Sequence, residues 1–253
     1  MSPLAIGSIV FVCIFGSAVL GYYLRTVLPD HHLTDDSMRV VTLSTGLIAT
    51  LVAMVLGLLI SSAKTSFESI NEEVTQSASK VVLLDRALVN YGPEAKETRE
   101  LLHLTIASVI DMIFVKEGSS LAKLTATERL AGMEQFQAKL RELAPQNDAQ
   151  RSLQSRALEL SNELVQMRWL VIAHERNAML PPFLVVLALL LSIIFVGLGV
   201  HTPNNTIVLT TLLASALSVS GAVFLIEELD HPLDGLMQVS SAPLRNALTQ
   251  LGH

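Results

Sequence analysis

Aspartate, glutamate, lysine and arginine are missing from four stretches of this chain: Leu4 to Leu24, Val40 to Ala63, Pro181 to Val200 and Ile207 to Ile226. A helix needs roughly 20 apolar residues to cross the hydrocarbon of a bilayer, so each stretch is long enough to span one. Cysteine is nearly absent as well. Cys13 stands alone inside the first stretch, which excludes an intrachain disulfide and a CxxC site. Catalytic signatures are missing too: there is no HExxH, GxSxG, phosphate-binding lysine loop or GxGxxG, and no ionisable residue in the middle of a charge-free stretch, where an intramembrane catalyst would need one. Enzyme activity and a cofactor are therefore not expected. A strongly basic segment is also lacking. Fourteen of the seventeen lysines and arginines fall between Lys64 and Arg176, but sixteen acids accompany them, which gives no reason to expect nucleic acid as a partner.

What is present has two phases. Hydrophobic residues make up 51% of the chain and charged residues 16%, and the charges gather in the insert between the second and third apolar runs. The fold class expected is all-α: a polytopic membrane protein with four transmembrane helices and a helical cytoplasmic stalk between helices two and three. The divisions are 1–63 for the first two spans, 64–180 for the stalk, 181–226 for spans three and four, and 227–253 for a cytoplasmic tail. A cleaved signal peptide is the rival reading of the first run, but no lysine or arginine precedes it and its length exceeds a signal core. Four spans put both termini and the insert on one side. Lys64, Arg168, Arg176 and Arg245 flank span ends there, against Arg25 and Arg39 opposite, so the positive-inside rule makes that side cytoplasmic.

The insert reads as four helices. Phe67, Ile70, Val74, Val81, Leu84 and Leu88 recur at helical spacing without a glycine or proline, which predicts that span two runs on as one helix to the Tyr91-Gly92-Pro93 turn. A second helix carries Leu102, Ile106, Val109 and Ile113 on one face. A third starts at the Thr125/Glu128 capping-box spacing, turns Leu130, Met133, Phe136, Leu140 and Leu143 inward and ends before Pro145. A fourth runs from about Asp148 with Leu153, Ala157, Leu160, Leu164, Met167 and Val171 in heptad spacing, suited to pack against the Phe67 to Leu88 stripe. Pro181 and Pro182 predict a kink or a fresh helix start at the third span.

Four groups could carry function. In span two, Thr42, Gly46, Ala49, Ala53 and Gly57 form a small-residue face, fit for a pore, a subunit interface or packing within one subunit. Thr211, Ser215 and Ser218 share a face of span four, where hydroxyls either line a hydrated path or bond a neighbouring backbone. Span three, dominated by Leu, Ile, Val and Phe, is expected to face lipid. Glu227, Glu228, Asp230 and Asp234 cluster at the exit of span four, where a ring of carboxylates would attract cations to a pore mouth; the plainer reading is a hydrated helix end. The external loop gathers His31, His32, Asp35 and Asp36, side chains able to bind a metal or sense pH, or simply to sit in water.

The segments LPDHHLTDDS, GLIATLVAMVLGLLISSAKTSF, NEEVTQSASKVVLLDRALVNYGPEAKETR and ELDHPLDGLMQVSSAPL resemble the bestrophin-like domain-of-unknown-function family of bacterial membrane proteins. The resemblance covers nearly the whole chain and places His31, His32, the Gly46 to Lys64 region, Asp85, Arg86, the Tyr91 to Pro93 turn, Asp230, Pro232 and Gly235 on recurrent family positions. One departure is that His231 and Leu233 flank the proline where the family more often has a basic and then an aromatic residue. Bestrophins, whose name the family borrows, are ring-assembled anion channels with four membrane helices per subunit, and the resemblance implies that outline here. The function expected is a homo-oligomeric, channel-like protein of the bacterial inner membrane that conducts a small ion. Its partners would be the lipid bilayer and further copies of itself, and its gating would run through the cytoplasmic helices. The alternative is a non-conducting membrane sensor or scaffold.

Overall fold

The computed structural model describes residues 2–27, 35–114, 126–176, 181–201, 206–232 and 235–251. Among them every regular element is helical: α1 (Pro3–Val27), α2 (Asp35–Tyr91), a 3-10 turn (Pro93–Ala95), α3 (Lys96–Phe114), α4 (Ala126–Glu142), α5 (Asp148–Arg176), α6 (Pro181–His201), α7 (Thr206–Asp230) and α8 (Ala242–Gln250). Four of these, α1, α2, α6 and α7, are long and apolar enough to cross a membrane. The helices divide between two compact units. One takes residues 1–67, 177–231 and 235–237; the other takes 68–176, 232–234 and 238–253.

In the first unit α1 is the central element, packed against both α6 and α7. Glycine sets how closely it does so. A Cβ on Gly21 would land on the Val196 carbonyl, and one on Gly199 would land on the Ala18 carbonyl and stand 2.8 Å from the Tyr22 nitrogen, so the backbones of α1 and α6 touch directly. Arg25 at the end of α1 closes that contact by donating to the Val200 carbonyl at 3.3 Å. Val10, Ile14, Ala18, Leu187, Leu191, Phe195, Leu212 and Ala216 fill the core between the helices. The third span therefore corrects the expectation that it simply faces lipid: α6 buries Leu187, Leu191, Ile194 and Phe195 and leaves Phe183, Val186 and Leu189 exposed. A uniformly apolar helix has no polar face to reveal its buried side, and the signal that was available is the Gly197/Gly199 pair.

The second unit is built on the latter half of α2. Ile70, Val74, Val81, Leu84 and Leu88 are buried there, with Leu102, Ile106 and Ile110 of α3, Met133, Phe136 and Leu140 of α4, and Ala157, Leu160 and Leu164 of α5. Ile110 takes the core place predicted for Val109, which is half-buried, because the step after Ile106 is four residues rather than three. Lys80 and Glu163 join α2 to α5 at 2.6 Å, and the neighbouring lysine holds the Glu163 carboxyl below its usual range. Gln154 donates to the Leu140 and Leu143 carbonyls at 2.9 and 2.8 Å, capping the end of α4, and Gln150 donates to the Tyr91 carbonyl at 2.9 Å. Gly92 ends α2 with φ of 126°, a left-handed conformation that other residues rarely adopt. The C-terminal segment is more than a tail. It contains α8, which packs on α3 and buries Leu244 and Ala247, with Leu251 buried just beyond its end.

Candidate functional site

The span of α2 is the least covered of the four. Only 6% of its apolar window is buried, against 28% for α1, 28% for α6 and 22% for α7. Three faces follow from its periodicity. Thr45, Ile48, Val52, Val55 and Leu59 turn toward the core of the first unit, where Thr45 meets α6 at Gly197. Leu43, Leu47, Leu51, Met54 and Leu58 form an exposed leucine-rich face of the kind that suits lipid. The remaining face carries Thr42, Gly46, Ala49, Ala53 and Gly57, all of them exposed. Nothing lies within 4 Å of a side chain added at Gly46 or Gly57, so no described residue of the same chain packs on the face at those two positions. Among the described residues this close-packing face is open at Gly46 and Gly57.

On α7 the hydroxyl group is also turned away from the core. Thr211 and Ser218 are exposed and Ser215 is half-buried, whereas Leu212, Ala216, Ser220 and Val223 are the buried residues. Thr211 donates to the Ile207 carbonyl and Ser218 to the Ala214 carbonyl, each at 2.9 Å, which leaves their oxygen lone pairs free to accept from water.

The carboxylates at the end of α7 are placed unequally. Glu227 and Glu228 are each 3% exposed, Asp230 is half-buried, and Asp234 lies outside the described residues. Glu228 receives the backbone N–H groups of Leu236 and Met237, the latter at 3.2 Å. His231 Nδ1 lies 2.9 Å from the Glu227 carbonyl, and Glu227 Oε1 has no partner among the described residues. Glu228 is thus committed to the chain reversal after α7. That use of the carboxylate left no signal in the sequence beyond the glycine at 235, whose Cβ would stand 2.9 Å from Glu228 Cδ. Of the external loop, His31 and His32 lie outside the described residues, while Asp35 and Asp36 begin α2, with Asp36 exposed. Negative charge there complements the helix N-terminus.

In the second unit Asp85, 6% exposed, accepts two hydrogen bonds from Arg99, at 2.7 and 3.2 Å. Arg99 also donates to the Leu251 carbonyl at 3.4 Å, and its bond to Asp85 holds the guanidinium even more firmly protonated than usual. Beside this pair a cavity of about 400 Å3 is lined by Val82, Asp85, Arg86, Asn90 and Gln250. Sequence reasoning singled out Asp85 and Arg86 only through the family resemblance. The residue that organises the group, Arg99, sits 14 positions from Asp85 and 152 from Leu251, separations that no local pattern marks.

No curated protein matches the chain. The bestrophin-like domain model matches residues 11–244, a stretch that begins within α1, takes in the rest of the four apolar helices and the charged insert, and ends within α8. With α2, α6, α7 and most of α1 inside that match, together with the motifs at Asp85, Tyr91 and Glu228, the chain belongs to the bestrophin-like family of membrane proteins.

Proposed function

We propose that the chain is one subunit of a homo-oligomeric, channel-like protein of the bacterial inner membrane, conducting a small ion along a path lined by the small-residue face of α2 and the hydroxyl face of α7. The observation that carries this reading is the open face of α2 from Gly46 to Gly57. Small side chains on a membrane helix favour close approach of another helix, and lipid chains gain nothing from them over leucine. Among the described residues that face has no occupant at Gly46 or Gly57, and the core between the helices is filled by side chains such as Ile14, Leu191, Phe195 and Leu212, so both the occupant and the path call for further copies. Segment 64–180 lies in the cytoplasm in this reading, supported by Lys64, Arg168, Arg176 and Arg245 near the span ends.

The test has two stages. Native mass measurement in mild detergent should return a closed ring of subunits. The purified protein in planar bilayers under asymmetric salt should then give a reversal potential that fixes the sign of the conducted ion. Monomers or simple dimers with no conductance would replace this reading with the second one, a non-conducting sensor or scaffold. That second reading draws its support from α2, which runs for 57 residues without interruption from an apolar span into the charged segment and can pass a displacement along its axis.

A further inference from the structure

One side of α7 carries an anomaly. Glu228 stands eleven residues beyond Leu217 and seven beyond Gly221, roughly three and two helical turns, so the three share a side of the helix. Leu217 is 63% exposed and its neighbour Leu225 51%, and nothing lies within 4 Å of a side chain added at Gly221. Glu228 lies on the same side, one turn beyond Phe224, which packs on Gly7 of α1, and it is only 3% exposed. The turn at 235–237 covers it. Leu236 and Met237 donate their backbone N–H groups to Glu228 Oε1, and Gly235 presses against the carboxylate so closely that no Cβ would fit. The turn gives its backbone to Glu228 and its side chains to the outside: Leu236, 79% exposed, is the most exposed large apolar side chain among the described residues, and Met237 is 47% exposed.

We propose that the Gly235–Met237 turn is a membrane-seated lid, in which backbone amides shield Glu228 from lipid while Leu236 and Met237 insert at the boundary between headgroups and acyl chains. An uncovered carboxylate on the lipid side of a span is costly, and two N–H donors with an apolar cover remove most of that cost. Lipid is the occupant because the tip extends the exposed row of Leu217 and Leu225. Two side chains also bury far too little for a stable contact between proteins, which takes about 800 Å2 per partner. The inference rests on the reading of α7 as a membrane span.

Tryptophan placed by substitution in the full chain tests it, with Trp169→Phe as background, in phosphatidylcholine vesicles containing lipid brominated near the headgroup end of the acyl chains. Leu217→Trp and Leu236→Trp should both be quenched several-fold more than Arg151→Trp, an exposed position in the second unit. Adding Glu228→Ala should reduce quenching at position 236 and leave it unchanged at 217; unchanged quenching at both would remove Glu228 from the lid. Quenching at 217 without quenching at 236 overturns the lid alone, and blue-shifted but unquenched emission at 236 hands the turn to a protein partner instead. Absence of quenching at 217 as well would sink the spanning reading and the lid together.

Discussion

Two glycines in apolar helices make opposite predictions for the same substitution. Gly46→Leu adds four carbons to a helix face with nothing within 4 Å, so in a single chain it costs no packing energy and gains about 1 kcal/mol of helix propensity. Gly199→Leu drives those carbons into the Ala18 carbonyl and the Tyr22 nitrogen, where even Gly199→Ala must part α1 from α6 at a cost of about 1 to 3 kcal/mol. If the α2 face receives another subunit, Gly46→Leu and Ala53→Leu meet the same penalty of about 1 to 3 kcal/mol at every interface of the ring while leaving the subunit fold intact. The assay is thermal denaturation combined with light-scattering mass in mild detergent. Gly199→Ala should lower the midpoint, Gly46→Leu should keep the helix content and lose the assembly, and Leu189→Trp, at a 58% exposed position of α6, should change neither. Wild-type mass and ion flux in both Gly46→Leu and Ala53→Leu would refute the assignment of this face to a pore or an interface. An unaltered midpoint for Gly199→Ala would refute the backbone contact between α1 and α6.

Three further outcomes are expected. Arg99→Ala leaves Asp85 buried without its partner and the Leu251 carbonyl without a donor; because Arg99 is partly exposed, the loss should come to about 2 to 3 kcal/mol, read by thermal denaturation and by faster hydrogen exchange in α8, with little rescue by lysine, which cannot make the two-pronged bond. The lowered Glu163 pKa means that the unfolded chain takes up its proton first, so the Lys80 pair contributes fully above the ordinary value of 4.5 and its contribution fades as pH falls through the folded value; the midpoint difference between wild type and Glu163→Gln should shrink over that window. In a Cys13→Ser background, an impermeant thiol reagent applied to intact cells should label Asp36→Cys and spare Ser155→Cys; the reverse pattern would invert the proposed orientation.

Periodicity and punctuation made most of the helices legible. Charge-free runs marked the four apolar helices, Pro145 and Asp148 marked the α4–α5 turn, and the unbroken stripe from Phe67 to Leu88 announced that α2 continues past its span. Helix α8 was hidden by its brevity, although Pro243 at its start and Leu244, Ala247 and Leu251 at helical spacing carry its signature. The small-residue face of α2 could be read as a face, but its openness depends on where α1, α6 and α7 sit, which is a property of three-dimensional packing. The same holds for Glu228. A sequence displays a carboxylate as charge, and only the path of the following chain turns it into an acceptor for two backbone amides.

The glycine contact between α1 and α6 also decides which parts of the membrane unit can move. Where backbone lies against backbone, no side-chain rotamer can give way, and sliding one helix past the other means first prising them apart. Held at Gly21 and Gly199 and tied by Arg25 to the Val200 carbonyl, α1 and α6 form a tightly locked pair. Helix α2 meets the core of its unit through the side chains of Thr45, Ile48, Val52, Val55 and Leu59, so its hold there rests on side chains rather than on backbone against backbone.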